Sequence, residues 1–270
     1  MRHPALITGL CLALSAPLAM AAAPPKADKP AAASAATPAA TPAVDPQAVA
    51  ALESMGKYLR SLKDFTVHAD TTIELVTDDS QKLQFPGTVD YKVRAPDKLQ
   101  LDMQTDRKSR QLFYDGKSLT VYGPKAKYYA TVDAPPTIRE MLGSVEQTYG
   151  IEMPLADLFL WGTDQAPTSA LKSATLVGPA RIDGTVTNQY AFRQEGVDWQ
   201  VWIEQGSRPL PRRLVITTTD DPAQPQYAST LTWNTAAGLK DSAFTFTPPK
   251  DAHRIQMVAV DAVAVEEKSP

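Results

Sequence analysis

Apolar residues change their spacing twice along this chain, and that double switch limits the folds open to it. Phe65, Val67, Ala69, Ile73 and Leu75 stand at odd positions among mostly polar neighbours. Leu83, Phe85, Val89, Tyr91 and Val93 keep the step of two, followed by Leu99, Leu101 and Met103. A step of two belongs to strands with one buried face. Asp78-Asp79-Ser80, Ala95-Pro96-Asp97, Asp115-Gly116 and Gly123-Pro124 separate the runs. The short spacing lets neighbours pair antiparallel as a meander. The period then lengthens: Ile138, Met141, Leu142, Val145 and Tyr149 fall on one helical stripe. "MPLADLFLWG", from Met153 to Gly162, reads as a second, short helix whose apolar residues must be buried or face something greasy. From Ala174 onward strands return.

A helix precedes all of this. Asp45 is a capping residue, Pro46 suits the first helical position, and Val49, Leu52, Met55, Leu59 and Leu62 recur at steps of three and four. The segment Asp198–Thr217 is read as a hairpin: Trp199, Val201 and Ile203 alternate, then Leu214, Ile216 and Thr218, with Pro209 and Pro211 in the connection. Its arginines sit at the loop exit as solvated charge, a basic anion site being the alternative.

The ends differ in kind. Residues 1–21 have the basic start, apolar core and small-residue exit of a secretory signal peptide. Residues 22–44 are nearly all Ala, Pro, Ser and Thr, and are expected to form a disordered linker. One domain is expected over 45–259, with a disordered tail at 260–270. Cys11 lies in the leader, so leader removal leaves a chain without thiol chemistry or disulfides. It also leaves 26 basic against 30 acidic residues, a balance that argues against a nucleic-acid partner. No later stretch has the length of a membrane span.

Chemistry is sparse. After the leader only His68 and His253 remain, far apart and without ligand spacing, so no metal or cofactor is expected. No nucleophile elbow, zinc-protease pair or phosphate loop occurs. Asp78-Asp79 and Asp220-Asp221 fall where turns favour Asp. Trp161, Trp199, Trp202 and Trp233 read first as core packing, and Trp161 also as a cavity liner.

Several stretches carry a family resemblance. "GTVDYKVRAPDKLQLDMQ", with Gly87 and Pro96, is followed by the "DGKSL" hairpin at Asp115–Leu119, then Tyr122 and Pro124, and near the end by "AFTFTPPKD" at Ala243–Asp251. In this order they resemble the LolA/LolB/RseB superfamily of periplasmic lipoprotein-carrier-like proteins, and a family of predicted periplasmic proteins of unknown function within it. The resemblance implies an α+β fold: a strongly curved, unclosed antiparallel sheet, a half-barrel, with an N-terminal helix and a central helical insert on its concave side. It also implies a closing strand at Ala243–Asp251 and a cavity for acyl chains, for which Leu99, Leu101, Met103, Tyr122, Leu142, Leu158, Phe159 and Trp161 are the candidate lining. Arg94 stands one residue further from Pro96 than the family's functional Arg, so that role is not carried over. The expected function is non-enzymatic binding of a lipid or acylated polypeptide. The alternatives are an envelope sensor that binds a protein partner through a filled cavity and, least favoured, a hydrolase.

Overall fold

The structure, a computed structural model, describes residues 43–260. The expected signal peptide, most of the linker and the tail beyond Val260 lie outside the described residues. Ala43 and Val44, read as linker, lie against a strand: the Ala174 amide donates to Ala43 and the Asp45 amide to Ala174, both at 2.9 Å.

Helix α1 (Pro46–Ser61) starts where its cap demands. The Asp45 carboxylate accepts from the Gln47 amide at 2.8 Å, satisfying an otherwise orphaned donor. Ala48, Leu52, Met55, Gly56 and Leu59 form its buried stripe. A first meander follows: β1 (Asp64–Val76), β2 (Lys82–Arg94), β3 (Lys98–Thr105), β4 (Ser109–Tyr114), β5 (Ser118–Gly123) and β6 (Tyr128–Asp133). The helical insert carries α2 (Ile138–Tyr149) and α3 (Asp157–Leu160). Thr137 caps α2, and Gly150 ends it at φ 63°, a left-handed conformation that suits glycine. A second meander then runs through β7 (Ser173–Ile182), β8 (Thr185–Gln194), β9 (Val197–Glu204), β10 (Pro211–Thr218) and β11 (Gln226–Asn234).

The last strand of the second meander pairs with the first strand of the first, so β1 and β11 join both halves into one twelve-stranded, curved and unclosed sheet. Antiparallel partners share a face, and the register therefore names the two surfaces. Phe65, Val67 and Ala69 on β1 pair with Val93, Tyr91 and Val89 on β2. Those three pair with Leu99, Leu101 and Met103 on β3. This face continues through Leu112, Tyr114, Leu119 and Val121 on one side and Leu231, Leu214, Val201 and Tyr190 on the other. It is concave and receives α1 and the insert. No helix among the described residues is long and apolar enough to cross a membrane.

Two local expectations are corrected. The helix expected over "MPLADLFLWG" shrinks to one turn, because Leu155 at φ 62° and Gly162 at φ 74° break the backbone on either side. The closing strand expected at Ala243–Asp251 is a strap over the convex face instead. Pro248 and Pro249 cannot donate to a ladder, and Phe246 lies against Phe113, Tyr122 and Tyr129. Pairing resumes only in β12 (His253–Arg254), which runs parallel to β6. Arg94 serves this strap: it pairs with Asp241, and its guanidinium lies 5.3 Å from the centre of the Phe244 ring. Two of the three arginines of the Asp198–Thr217 hairpin are partnered too. Arg212 pairs with Glu204 at 2.5 Å, and Arg213 lies over Trp202.

Candidate functional site

The insert is pinned to the concave face by two phenols. Tyr114 donates to the Pro135 carbonyl at 2.5 Å, and Tyr91 donates to the Pro154 carbonyl at 2.6 Å. Burial pushes both hydroxyls well above the ordinary tyrosine range, so they remain donors. Helix α1 clamps the insert from the other side. A Cβ built on Gly56 would lie 2.7 Å from the Trp161 carbonyl oxygen, so only glycine lets the backbones approach this closely.

Between these anchors the single turn of α3 divides the space under the helices. One cavity, about 280 Å³, is bounded by Leu59, Leu62, Phe65, Val93, Ile138, Leu158 and Phe159, with Arg60, Lys63 and Arg139 at its rim. A second, about 380 Å³, is bounded by Leu52, Leu160, Leu171, Val197, Leu214 and Ile216, with Trp161 and Trp199 as its aromatic wall. The two indoles stack with centroids 5.9 Å apart, and Trp199 stacks in turn on Phe192 at 4.2 Å. The second cavity falls within the size range of ordinary small-molecule sites, roughly 300–1,000 Å³, and the first just below it.

The eight residues expected to line a cavity fare unequally. Leu158 and Phe159 border the first cavity and Trp161 the second. Leu99 and Leu101 are wholly buried in the core, Leu142 is buried on α2, and Met103 is half-buried further along the concave face. None of these four borders either cavity. Tyr122 is on the wrong side of the sheet: Val121 faces the helices, so its neighbour points to the convex surface, where Phe246 covers it at 5.2 Å.

One important group escaped the sequence reading. Asp157 lines the second cavity, half-buried by surface but with its carboxyl closely surrounded by protein. Burial raises it above the ordinary carboxylate range. None of the ion pairs among the described residues includes it. Near it on β11, burial raises the Tyr227 hydroxyl above the ordinary tyrosine range, and the buried Ser229 hydroxyl, within side-chain hydrogen-bonding reach of it, opposes that shift. A lone acid within "LADLFLW" was the available signal. Among the described residues no cluster of three or more His, Cys, Asp or Glu stands ready to hold a metal.

No curated protein matches the chain. Among solved structures, an uncharacterised conserved protein from Thermus thermophilus aligns with TM-score 0.45 at 12% identity, over 78% of this chain and 99% of its own. LprF from Mycobacterium bovis aligns with TM-score 0.41 at 16% identity, over 78% and 100%. The lipoprotein LppX from Mycobacterium tuberculosis aligns with TM-score 0.44 at 15% identity, over 70% and 96%. Likeness at this level carries no weight for function. The sequence itself is more specific: residues 48–258 match DUF2092, and the chain belongs to that family of predicted periplasmic proteins.

Proposed function

We propose that this is a non-enzymatic periplasmic protein that binds a hydrophobic ligand, a lipid or an acylated polypeptide, beneath its helices. The observation that carries the reading is the pair of cavities on either side of α3, the first mainly apolar and the second apolar along Leu52, Leu160, Leu171, Leu214 and its two indoles. Each buried methylene contributes about 0.8 kcal/mol, so one acyl chain laid along this wall gains enough to be held without covalent chemistry. The partition is one helical turn, bounded by Leu155 and Gly162 at positive φ. Its displacement would merge the cavities and release the occupant, a loop motion of the kind that gates many sites.

A partner-binding sensor is the second reading. It is favoured by the solid packing around Leu99, Leu101 and Met141, none of which keeps any exposed surface. Native mass spectrometry of protein purified from the periplasm, paired with lipid extraction, separates the two. The carrier reading expects a stoichiometric acyl-chain species that is lost in a folded Leu160→Glu variant. A clean apo mass, with no uptake of added fatty acid or lipopeptide, would overturn it in favour of the sensor.

A further inference from the structure

The first cavity joins an apolar interior to a charged mouth. Buried side chains of Leu59, Leu62, Phe65, Val93, Ile138 and Leu158 form its inner wall, and the exposed residues Arg60, Lys63 and Arg139 border it. No carboxylate stands among its described lining residues. Its two hydroxyls are engaged within the chain: Thr137 donates to the Glu140 carboxylate at 2.7 Å and Thr163 to the Leu160 carbonyl at 2.6 Å. Arg60 and Lys63 reach the opening from the end of α1, and Arg139 from the first turn of α2. Arg60 has a structural duty, its bond to the neutral Trp161 carbonyl. Lys63 takes part in none of the ion pairs among the described residues. Arg139 meets Asp164 at 3.6 Å with both side chains exposed, a contact worth little in water. Its place in the first turn of α2 is also unfavourable, since the positive end of the helix dipole disfavours a cation. Like charges around one opening repel each other, and neither packing nor close pairing accounts for Lys63 and Arg139 there.

The wall and the mouth together select an occupant. A cationic head would be repelled. A carboxylate or phosphate head meets guanidinium and ammonium donors, the groups that bind such anions best. Its chain is meanwhile taken out of water by the inner wall. At about 30 Å³ for a group the size of a water molecule, the cavity takes about nine carbons, which is room for one chain. Resting on the hydrophobic-ligand reading above, we propose that the first cavity is the head end of the site. It takes a single-chain amphiphile whose carboxylate or phosphate head is held between Lys63 and Arg139, with Arg60 beside them. A longer chain continues past α3 into the second cavity once that turn is displaced.

Four ten-carbon probes with different heads test this by calorimetric titration: decanoate, decyl phosphate, 1-decanol and decylamine. Both anions are expected to bind about tenfold more tightly than 1-decanol, the gain of two exposed ion pairs, and decylamine more weakly. The tighter anion identifies the head as carboxylate or phosphate. Raising the salt concentration is expected to shrink the preference in the unmodified protein. In Lys63→Gln/Arg139→Gln both anions are expected to fall to the affinity of 1-decanol, whose own unchanged affinity reports an intact cavity. The same loss of charge in Lys108→Gln/Arg181→Gln, at residues that border neither cavity, is expected to change nothing. Anions bound no better than 1-decanol, or a preference that salt or Lys63→Gln/Arg139→Gln leaves intact, overturns the anionic head site. So does a preference that Lys108→Gln/Arg181→Gln also abolishes. Each of these results leaves the hydrophobic cavity standing. Failure of all four probes to bind overturns both.

Discussion

The guanidinium of Arg60 donates through Nη1 to the main-chain carbonyl of Trp161, 2.7 Å away across 101 residues of sequence. It joins the last turn of α1 to the end of α3, at the point where the two cavities divide. Gly56, one turn earlier on α1, lies against the same carbonyl. A methyl group there meets backbone rather than a flexible side chain, so the contact cannot relax cheaply. Gly56→Ala is therefore expected to destabilise the protein by about 1–3 kcal/mol in urea denaturation, despite the gain in helix propensity of about 1 kcal/mol. A stabilised variant would mean that α1 and α3 are free to separate.

Tyr91→Phe should cost about 1–3 kcal/mol, because it removes the donor to the part-buried Pro154 carbonyl without changing the packed ring. The effect should be local as well as global. Hydrogen exchange of the amides around α3 should accelerate more than that of β2 itself, and uniform acceleration would argue against a separately held insert.

Asp157 imposes a pH dependence of definite sign. Its native value lies above the ordinary 3.8, so over the window between them the folded state binds more protons than the unfolded state. Stability therefore falls as pH rises through that window. Asp157→Asn should remove this slope and raise Tm at neutral pH, with an advantage that grows from pH 4 upward. An advantage constant with pH would show that the carboxyl is solvated.

His68 acts in a different window. The Asp90 carboxylate, 2.7 Å from Nδ1, raises it above its ordinary 6.5. Its contribution is complete below that value and is lost as pH rises through the raised native value. The pair is solvent-exposed, so screening keeps the effect below about 1 kcal/mol. His68→Gln should flatten the Tm profile above pH 6.5 and lower Tm slightly in the acid range, where the contribution is complete.

The legible parts of this fold are those with a period. The stripe of α2 could be read directly, because Ile138, Met141, Leu142 and Val145 all turn inward. Leu158, Phe159 and Trp161 stood out because a short segment that rich in large apolar groups has nowhere to go but inside. Tyr122 was misplaced because assigning it to a face requires the register, and one residue of parity separates Val121 from the opposite surface. The strap at Ala243–Asp251 alternates like a strand, yet alternation names no partner, and its Phe246 packs tilted against Phe113 and Tyr129 on the convex face instead. Asp157 was passed over because one acid on a short helix looks like its solvent side. Only the fold, which sets α3 across the second cavity from Leu214 and Ile216 on β10, turns that side inward.

Tryptophan emission tests the central claim most directly. Trp199 lines the second cavity, whereas Trp202 is on the other face of β9, beneath Arg213. Two single-tryptophan variants, one keeping only Trp199 and the other only Trp202, would be titrated with a dibrominated stearate, whose bromines quench at contact. Binding beneath the helices predicts saturable quenching of Trp199 and unchanged emission from Trp202. Equal quenching of both, or none of Trp199, would contradict a ligand site on the concave side of the sheet.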